Sequence, residues 1–246
     1  MAFRELYRKD LSLFSFFILL VTVISLGWQL FLVSMIGKWG VEVTFGLNFL
    51  PLIFYPTIML WPGIQSFRRE WRDDTIYNSL LLPRSGWQQT GSKLLAGMTG
   101  YIFWSMLSIF IIVLFYGGMI KEGITYLPEK YMSIEIFIKV YILYVLFGMQ
   151  NFILVQFCYL IGKLIKRAQG FFTILAYIII IYLQFKFIEI ISPLMDWVPD
   201  FYFTGITYDY EGFSFMSPTG GLITVLLYAG LIFVLSSLLL EKKLEV

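Results

Sequence analysis

The chain has no histidine and a single cysteine, Cys158, among 246 residues. Without imidazole, and with one thiol, the usual zinc sites cannot be assembled and no internal disulfide can form. Cys158 falls inside a long apolar run and reads as a packing residue. Charge is scarce too: only 14% of residues are Asp, Glu, Lys or Arg, against roughly a quarter in soluble domains. A net charge of +2 supplies no overall field for nucleic acid. No acidic residue lies securely in the middle of an apolar run, where a proton relay would need one, and no paired carboxylates sit at membrane depth. Proton-coupled carriage and intramembrane hydrolysis are therefore disfavoured. The chain is not expected to be an enzyme by itself.

Apolar length is what the sequence has instead. Hydrophobic residues make up 59% of the chain and aromatics 20%. At roughly 20 residues per crossing, six spans are expected, at about residues 12–35, 45–63, 94–116, 136–161, 171–191 and 220–240. The expected fold is an all-α polytopic membrane protein, with residues 1–246 forming a single transmembrane domain. A β-barrel would show alternating ten-residue segments. The apolar run from Leu11 is too long for a cleaved signal, and no small-residue cleavage site follows it.

Lysine and arginine favour the cytoplasmic side. Putting the N-terminus, the second-to-third and fourth-to-fifth connections and the C-terminus on one side collects thirteen basic residues there, against Lys38, Lys121, Lys130, Lys139 and Lys186 on the other. Both termini are thus expected in the cytoplasm. Residues 3–10, FRELYRKD, place Phe3, Leu6 and Tyr7 at helical spacing among basic residues, and are expected to form an amphipathic helix in the headgroup layer before the first span. Pro56 should bend the second span.

Polar groups are few enough to weigh singly. Gln150, Asn151 and Gln156 in the fourth span either hold helices together or face a transport path. Lys186 and Glu189, three apart, are placed to pair on one face. With Trp197 and Phe201 they are candidates for an external gate. Residues 190–217 are too apolar for an ordinary loop and too broken to span, so short re-entrant helices are expected there. Gly86 and Gly91 followed by Ser92-Lys93 imitate a phosphate loop. The order after Gly91 is reversed and no buried strand precedes it, so nucleotide binding is not expected. Lys93 reads as an anchor at the inner membrane surface.

Residues 66–93 then form a cytoplasmic segment between spans two and three. It opens with a charged run, Arg68, Arg69, Glu70, Arg72, Asp73 and Asp74. Asp73 or Asp74 suits the cap of a short helix, and Pro83 limits that helix from behind. Ile76, Tyr77, Leu80 and Leu81 share one of its faces. A capped, amphipathic helix with charged flanks serves either to receive force from a soluble partner or to lie on lipid headgroups.

The pattern Glu70, Thr75, Ser79-Leu80-Leu81, Pro83 and then Lys93-Leu94 opening a span resembles permeases of the type-two ABC exporter family, as does the layout of an N-terminal helix, six spans and re-entrant helices before the last. That resemblance implies ATPase coupling through Arg68, Arg69, Glu70, Arg72, Asp73, Asp74 and Thr75, with Leu80, Leu81, Pro83 and Lys93 supporting the loop. It implies two copies of a separate ATPase subunit that carry ATP and Mg, a second permease chain (identical or related), and no cofactor on this chain. The place implied is the lipid of a bacterial plasma membrane. The expected cargo is hydrophobic or amphipathic: a peptide toxin, an antimicrobial peptide or antibiotic, or a lipid. The alternatives are a transporter or channel that needs no ATPase, and a membrane subunit that assembles other proteins.

Overall fold

The computed structural model describes residues 2–72, 85–125, 134–165, 168–195, 197–198 and 219–243. The chain folds as α1 (Ala2–Ser34), α2 (Ile36–Trp39), α3 (Val41–Asn48), α4 (Leu50–Ile58), α5 (Leu60–Arg72), α6 (Gly86–Thr125), α7 (Ile134–Leu164), α8 (Gln169–Ile191), a 3-10 turn at Ser192–Met195, and α9 (Thr219–Lys243). Among the described residues, six helical stretches are long and apolar enough to cross a membrane: Phe3–Ser34, Val41–Arg72, Gly86–Gly118, Phe137–Leu164, Gln169–Met195 and Gly220–Glu241. Every element among the described residues is helical, with the form of a multi-pass membrane protein.

Its surface is inverted relative to a soluble bundle. Phe16, Ile24, Phe110, Leu114, Ile174 and Phe185 are exposed, while Gln29, Asn48, Glu70, Lys93, Ser108 and Gln156 are buried. A bilayer accepts the first set without cost, and the second needs partners inside the protein. The central packing joins α1, α4, α6 and α7 around Tyr55, Tyr101, Trp104 and Phe152. A second core joins α7, α8 and α9 around Leu154, Cys158, Ile180 and Tyr228. Helices α6 and α7 approach closely because each offers a glycine to an aromatic ring of the other. A Cβ at Gly148 would lie 2.5 Å from the Tyr101 ring, and one at Gly97 would lie 2.5 Å from Phe152.

Three sequence expectations change. The N-terminal segment does not turn into the first span from a separate interfacial helix; residues 3–10 continue directly into α1. The reason is Asp10, which is 1% exposed and must meet partners on α6. A straight helix of 33 residues is about 50 Å long, against a hydrocarbon layer of about 30 Å, so part of α1 lies beyond the apolar layer. The third span begins earlier than expected, because α6 is helical from Gly86. The second span extends from Val41 to Arg72 as α3, α4 and α5, with shallow breaks at Phe49 and Met59. Of the re-entrant region, the described parts are the end of α8, the 3-10 turn, which packs on the start of α9 near Gly220, and residues 197–198. Phe201 and the remaining positions from 199 to 217 lie outside the described residues.

Prolines in the second span leave carbonyls without their helical donors, and side chains of other helices supply replacements. Pro51 cannot donate to the Leu47 carbonyl, which accepts from Trp28 Nε1 at 3.3 Å. Pro56 cannot donate to the Leu52 carbonyl, which accepts from the Tyr144 hydroxyl at 2.7 Å. The Tyr144 ring is itself held by stacking on Tyr101, with centroids 5.2 Å apart. Removing the hydroxyl with Tyr144→Phe should cost about 0.5–1.5 kcal/mol. The cost should shrink in a Pro56→Ala background, where a backbone N–H again serves Leu52. Thermal unfolding of the two single variants and the double variant in detergent measures this, and equal costs in both backgrounds would refute the compensation.

Candidate functional site: a buried ion cluster at the feet of residues 73–84

Glu70 lies just before the end of α5 at Arg72, and Lys93 lies within α6, past its start at Gly86, so the two flank the segment 73–84 in the chain. Lys93 Nζ lies 2.9 Å from Glu70 Oε1 and 3.2 Å from Asp10 Oδ1. Lys9 Nζ reaches the same Glu70 oxygen at 2.8 Å. The Ser92 hydroxyl donates to Asp10 Oδ2, and the Phe67 ring lies under the Lys93 ammonium, 5.2 Å from its centroid. Three helices thus meet: α1 through Lys9 and Asp10, α5 through Glu70 and Phe67, and α6 through Ser92 and Lys93.

The Lys93, Asp10 and Glu70 side chains are 3%, 2% and 4% exposed, whereas Lys9 is 41% exposed. Among the described residues, two cations meet two carboxylates here, and such pairing is the condition for burying charge at tolerable cost. Local sequence sets the arrangement. On α1, Lys9 and Asp10 are adjacent and therefore diverge by about 100°, so Asp10 points inward while Lys9 reaches Glu70 from the rim. On α6, Ser92 and Lys93 diverge likewise and grasp different oxygens of Asp10.

Further contacts gather at this end of the bundle. The Gly86 backbone N–H donates to Glu241 on α9 at 2.6 Å, and the Thr90 and Ser237 hydroxyls bond at 2.8 Å. Arg69 donates to the Leu13 carbonyl at 3.3 Å. The helix start that imitated a phosphate loop is therefore occupied by the protein itself: Gly86 by Glu241, and Ser92 and Lys93 by Asp10.

The candidate residues divide as follows. Arg68, Arg69, Glu70, Arg72 and Lys93 belong to this end of the bundle. Lys93 is not the surface anchor expected of it, because its ammonium turns inward to two carboxylates. Glu70 is likewise turned inward instead of presented on an outer face. Asp73, Asp74, Thr75, Leu80, Leu81 and Pro83 lie outside the described residues. In the fourth span, Gln156 is buried and donates to Ser66 Oγ at 3.2 Å, tying α7 to α5. Gln150 is buried and Asn151 half-buried. Lys186 and Glu189 pair at 2.7 Å, as their spacing predicts, with side chains 50% and 66% exposed. Trp197 is 79% exposed.

Sequence reading missed Lys9, Asp10 and Ser92. The available signal was an aspartate set directly against the first apolar run, a costly place for an unpaired carboxylate. It also missed a polar seam higher in the bundle. There the Tyr55 and Ser108 hydroxyls bond at 2.7 Å, and Asn48 donates to the Tyr116 hydroxyl at 2.8 Å. Among the described residues, Gln29 Oε1 and Asn48 Oδ1 are buried acceptors without a protein donor. The seam lies between α1, α3, α4 and α6, and not at Gln150, Asn151 and Gln156.

No protein-family model, curated protein or solved structure matches the chain.

Removing Lys93 with Lys93→Met leaves two buried carboxylates facing each other and should cost about 3–5 kcal/mol. Adding Asp10→Asn should recover part of that loss. Lys9→Met, at the exposed rim, should cost no more than about 1 kcal/mol. Melting temperatures in detergent rank the three, and a Lys9 effect equal to that of Lys93 would contradict the cluster's geometry.

Proposed function

We propose that the protein is the permease subunit of an ATP-driven exporter of the type-two ABC kind, moving a hydrophobic or amphipathic cargo out across a plasma membrane by alternating access. The carrying observation is the ion cluster at the two feet of residues 73–84. The cluster joins α5 and α6, the helices that flank that segment in the chain, to each other and to α1. Force delivered by a soluble ATPase on that segment would pass to three spans at once. The composition of the segment, the six spans and the resemblance at Glu70, Thr75, Ser79-Leu80-Leu81, Pro83 and Lys93 support the same reading. Thirteen basic residues on the side assigned to this segment support a cytoplasmic placement.

Under this reading the roles divide by burial. Asp73, Asp74 and Thr75 are the positions to meet the ATPase. Glu70 and Lys93 transmit the motion inward and do not form the contact surface. Two ATPase subunits would carry ATP and Mg, and a second permease chain would complete the path. Glu70→Lys would place a third cation in the buried cluster and unfold the foot of the bundle, so it does not separate coupling from folding.

Asp73→Lys combined with Asp74→Lys does separate them. The double variant should retain its melting temperature, lose co-purification of the ATPase from native membranes, and lose transport. Wild-type chain that brings down no ATPase, or that transports in proteoliposomes without nucleotide, would overturn the exporter reading in favour of an autonomous transporter or an assembly subunit.

A further inference from the structure

The end of α9 meets the start of α6 along one face of each helix. The Gly86 backbone N–H donates to Glu241 Oε1 at 2.6 Å, and the buried hydroxyls of Thr90 and Ser237 bond at 2.8 Å. A Cβ at Gly91 would lie 3.8 Å from the Phe233 ring. Gly86 and Thr90 are four residues apart, as are Phe233, Ser237 and Glu241, so each set shares a face. Numbers rise along α6 as they fall along α9, so the two helices run antiparallel here.

Gly86 is what lets the backbones meet. An added Cβ there would collide with the Ser237 carbonyl oxygen and lie 3.1 Å from the Glu241 Cγ. The carbonyl is backbone, so no side-chain rotation relieves that collision. The same residue answers a need of helix starts, whose first N–H groups have no acceptor in their own helix. In α6 the Gln88 and Gln89 amides turn to the Ser85 carbonyl, whereas Gly86 is served from α9 by a carboxylate, whose charge suits a helix N-terminus. Farther along, α9 packs in the second core, where the Tyr228 hydroxyl donates to the Ile180 carbonyl of α8 at 2.8 Å.

We propose that this contact is a clasp that stays closed while the bundle moves, so that α6 and α9 form one rigid unit at the end nearest residues 73–84. Gly86 stands two residues after that segment in the chain. A displacement of the segment therefore reaches α9 at its first step, through the Glu241 carboxylate and the Ser237 hydroxyl, and passes on to α8 through Tyr228. This adds a fourth span to the three joined by the ion cluster. The mechanical consequence rests on the exporter reading; the closed clasp does not.

Thr90→Cys combined with Ser237→Cys, in a Cys158→Ala background, puts two thiols where the hydroxyls bond, within the reach of a disulfide. Oxidation with copper–phenanthroline in native membranes should bridge nearly all of the chain, as mass spectrometry after alkylation would show, and dithiothreitol should reverse it. Transport with the ATPase should be the same bridged and reduced. Hydrogen exchange reads the clasp without any transport: the Gly86 amide should exchange as slowly as amides two turns into α6. In Glu241→Leu it should exchange about tenfold faster or more, the change expected on losing a hydrogen bond to a charged group. Glu241→Gln keeps an acceptor and should restore slow exchange, which decides the matter if Glu241→Leu does not fold. A bridge that stops transport until it is reduced would overturn the clasp as a permanent contact. Failure to bridge, or fast exchange at Gly86 in the wild type, would overturn it altogether. A wild-type chain that transports nothing overturns the exporter reading alone, and the bridge and the Gly86 exchange then decide the clasp.

Discussion

Lys93 carries its ammonium into a place that is 3% exposed at the start of a membrane helix, and that single burial constrains the packing around it. An unpaired charge there would cost several kcal/mol, so α1 must bring Asp10 to it and α5 must bring Glu70. Asp10 can arrive only if α1 runs unbroken past the membrane layer, which is why no turn follows residues 3–10. Glu70 can arrive only if the second span stays helical as far as Arg72. The continuity of two helices and the angle at which three of them meet thus answer to one lysine.

Farther from that end, the bundle is held by a different kind of contact. Trp28, Tyr144 and Trp104 donate to the carbonyls of Leu47, Leu52 and Ile18, and Tyr55 meets Ser108 by its hydroxyl. Two of these carbonyls are the ones that Pro51 and Pro56 leave without a helical donor. Bends in the second span are therefore tolerated because aromatic side chains on α1 and α7 stand opposite the missing N–H groups. Each such bond is individually worth about a kcal/mol or less in a membrane, far below what separating the buried ions would cost.

The sequence showed the six crossings clearly, since apolar length is a local property and needs no partner to be read. The Lys186–Glu189 pair was legible for the same reason: both residues lie on one helix, three apart. The cluster at Lys93 was not legible, because Asp10, Glu70 and Lys93 belong to three helices and their approach is a tertiary fact. Lys93 at a span boundary has the same local signature whether it reaches out to headgroups or inward to a carboxylate. Gln156 shows the converse case. Its two possible roles were visible from its depth in the fourth span, but its bond to Ser66 on α5 is a tertiary contact that only the fold shows.

The contrast between the two ends of the second span has a mechanical consequence. Phe49 and Met59, where the span breaks, both remain in the right-handed helical region, at φ −79°, ψ −13° and φ −62°, ψ −18°. The rod is not severed at either point, so displacement at its foot is transmitted through Met59. Below that point α5 is bound to α1 and α6 by ions and to α7 by the Gln156–Ser66 bond. Above it, α3 and α4 are held by uncharged hydrogen bonds, to Trp28 and Tyr116 from α3 and to Tyr144 and Ser108 from α4. A push on residues 73–84 would therefore carry the lower end of α1, α5 and α6 as one body and spend its strain where the weaker bonds are, around Pro56. Under the exporter reading, that is the region where an inward-facing bundle would open toward the other side. The polar seam of Gln29, Asn48, Tyr55 and Ser108 borders it.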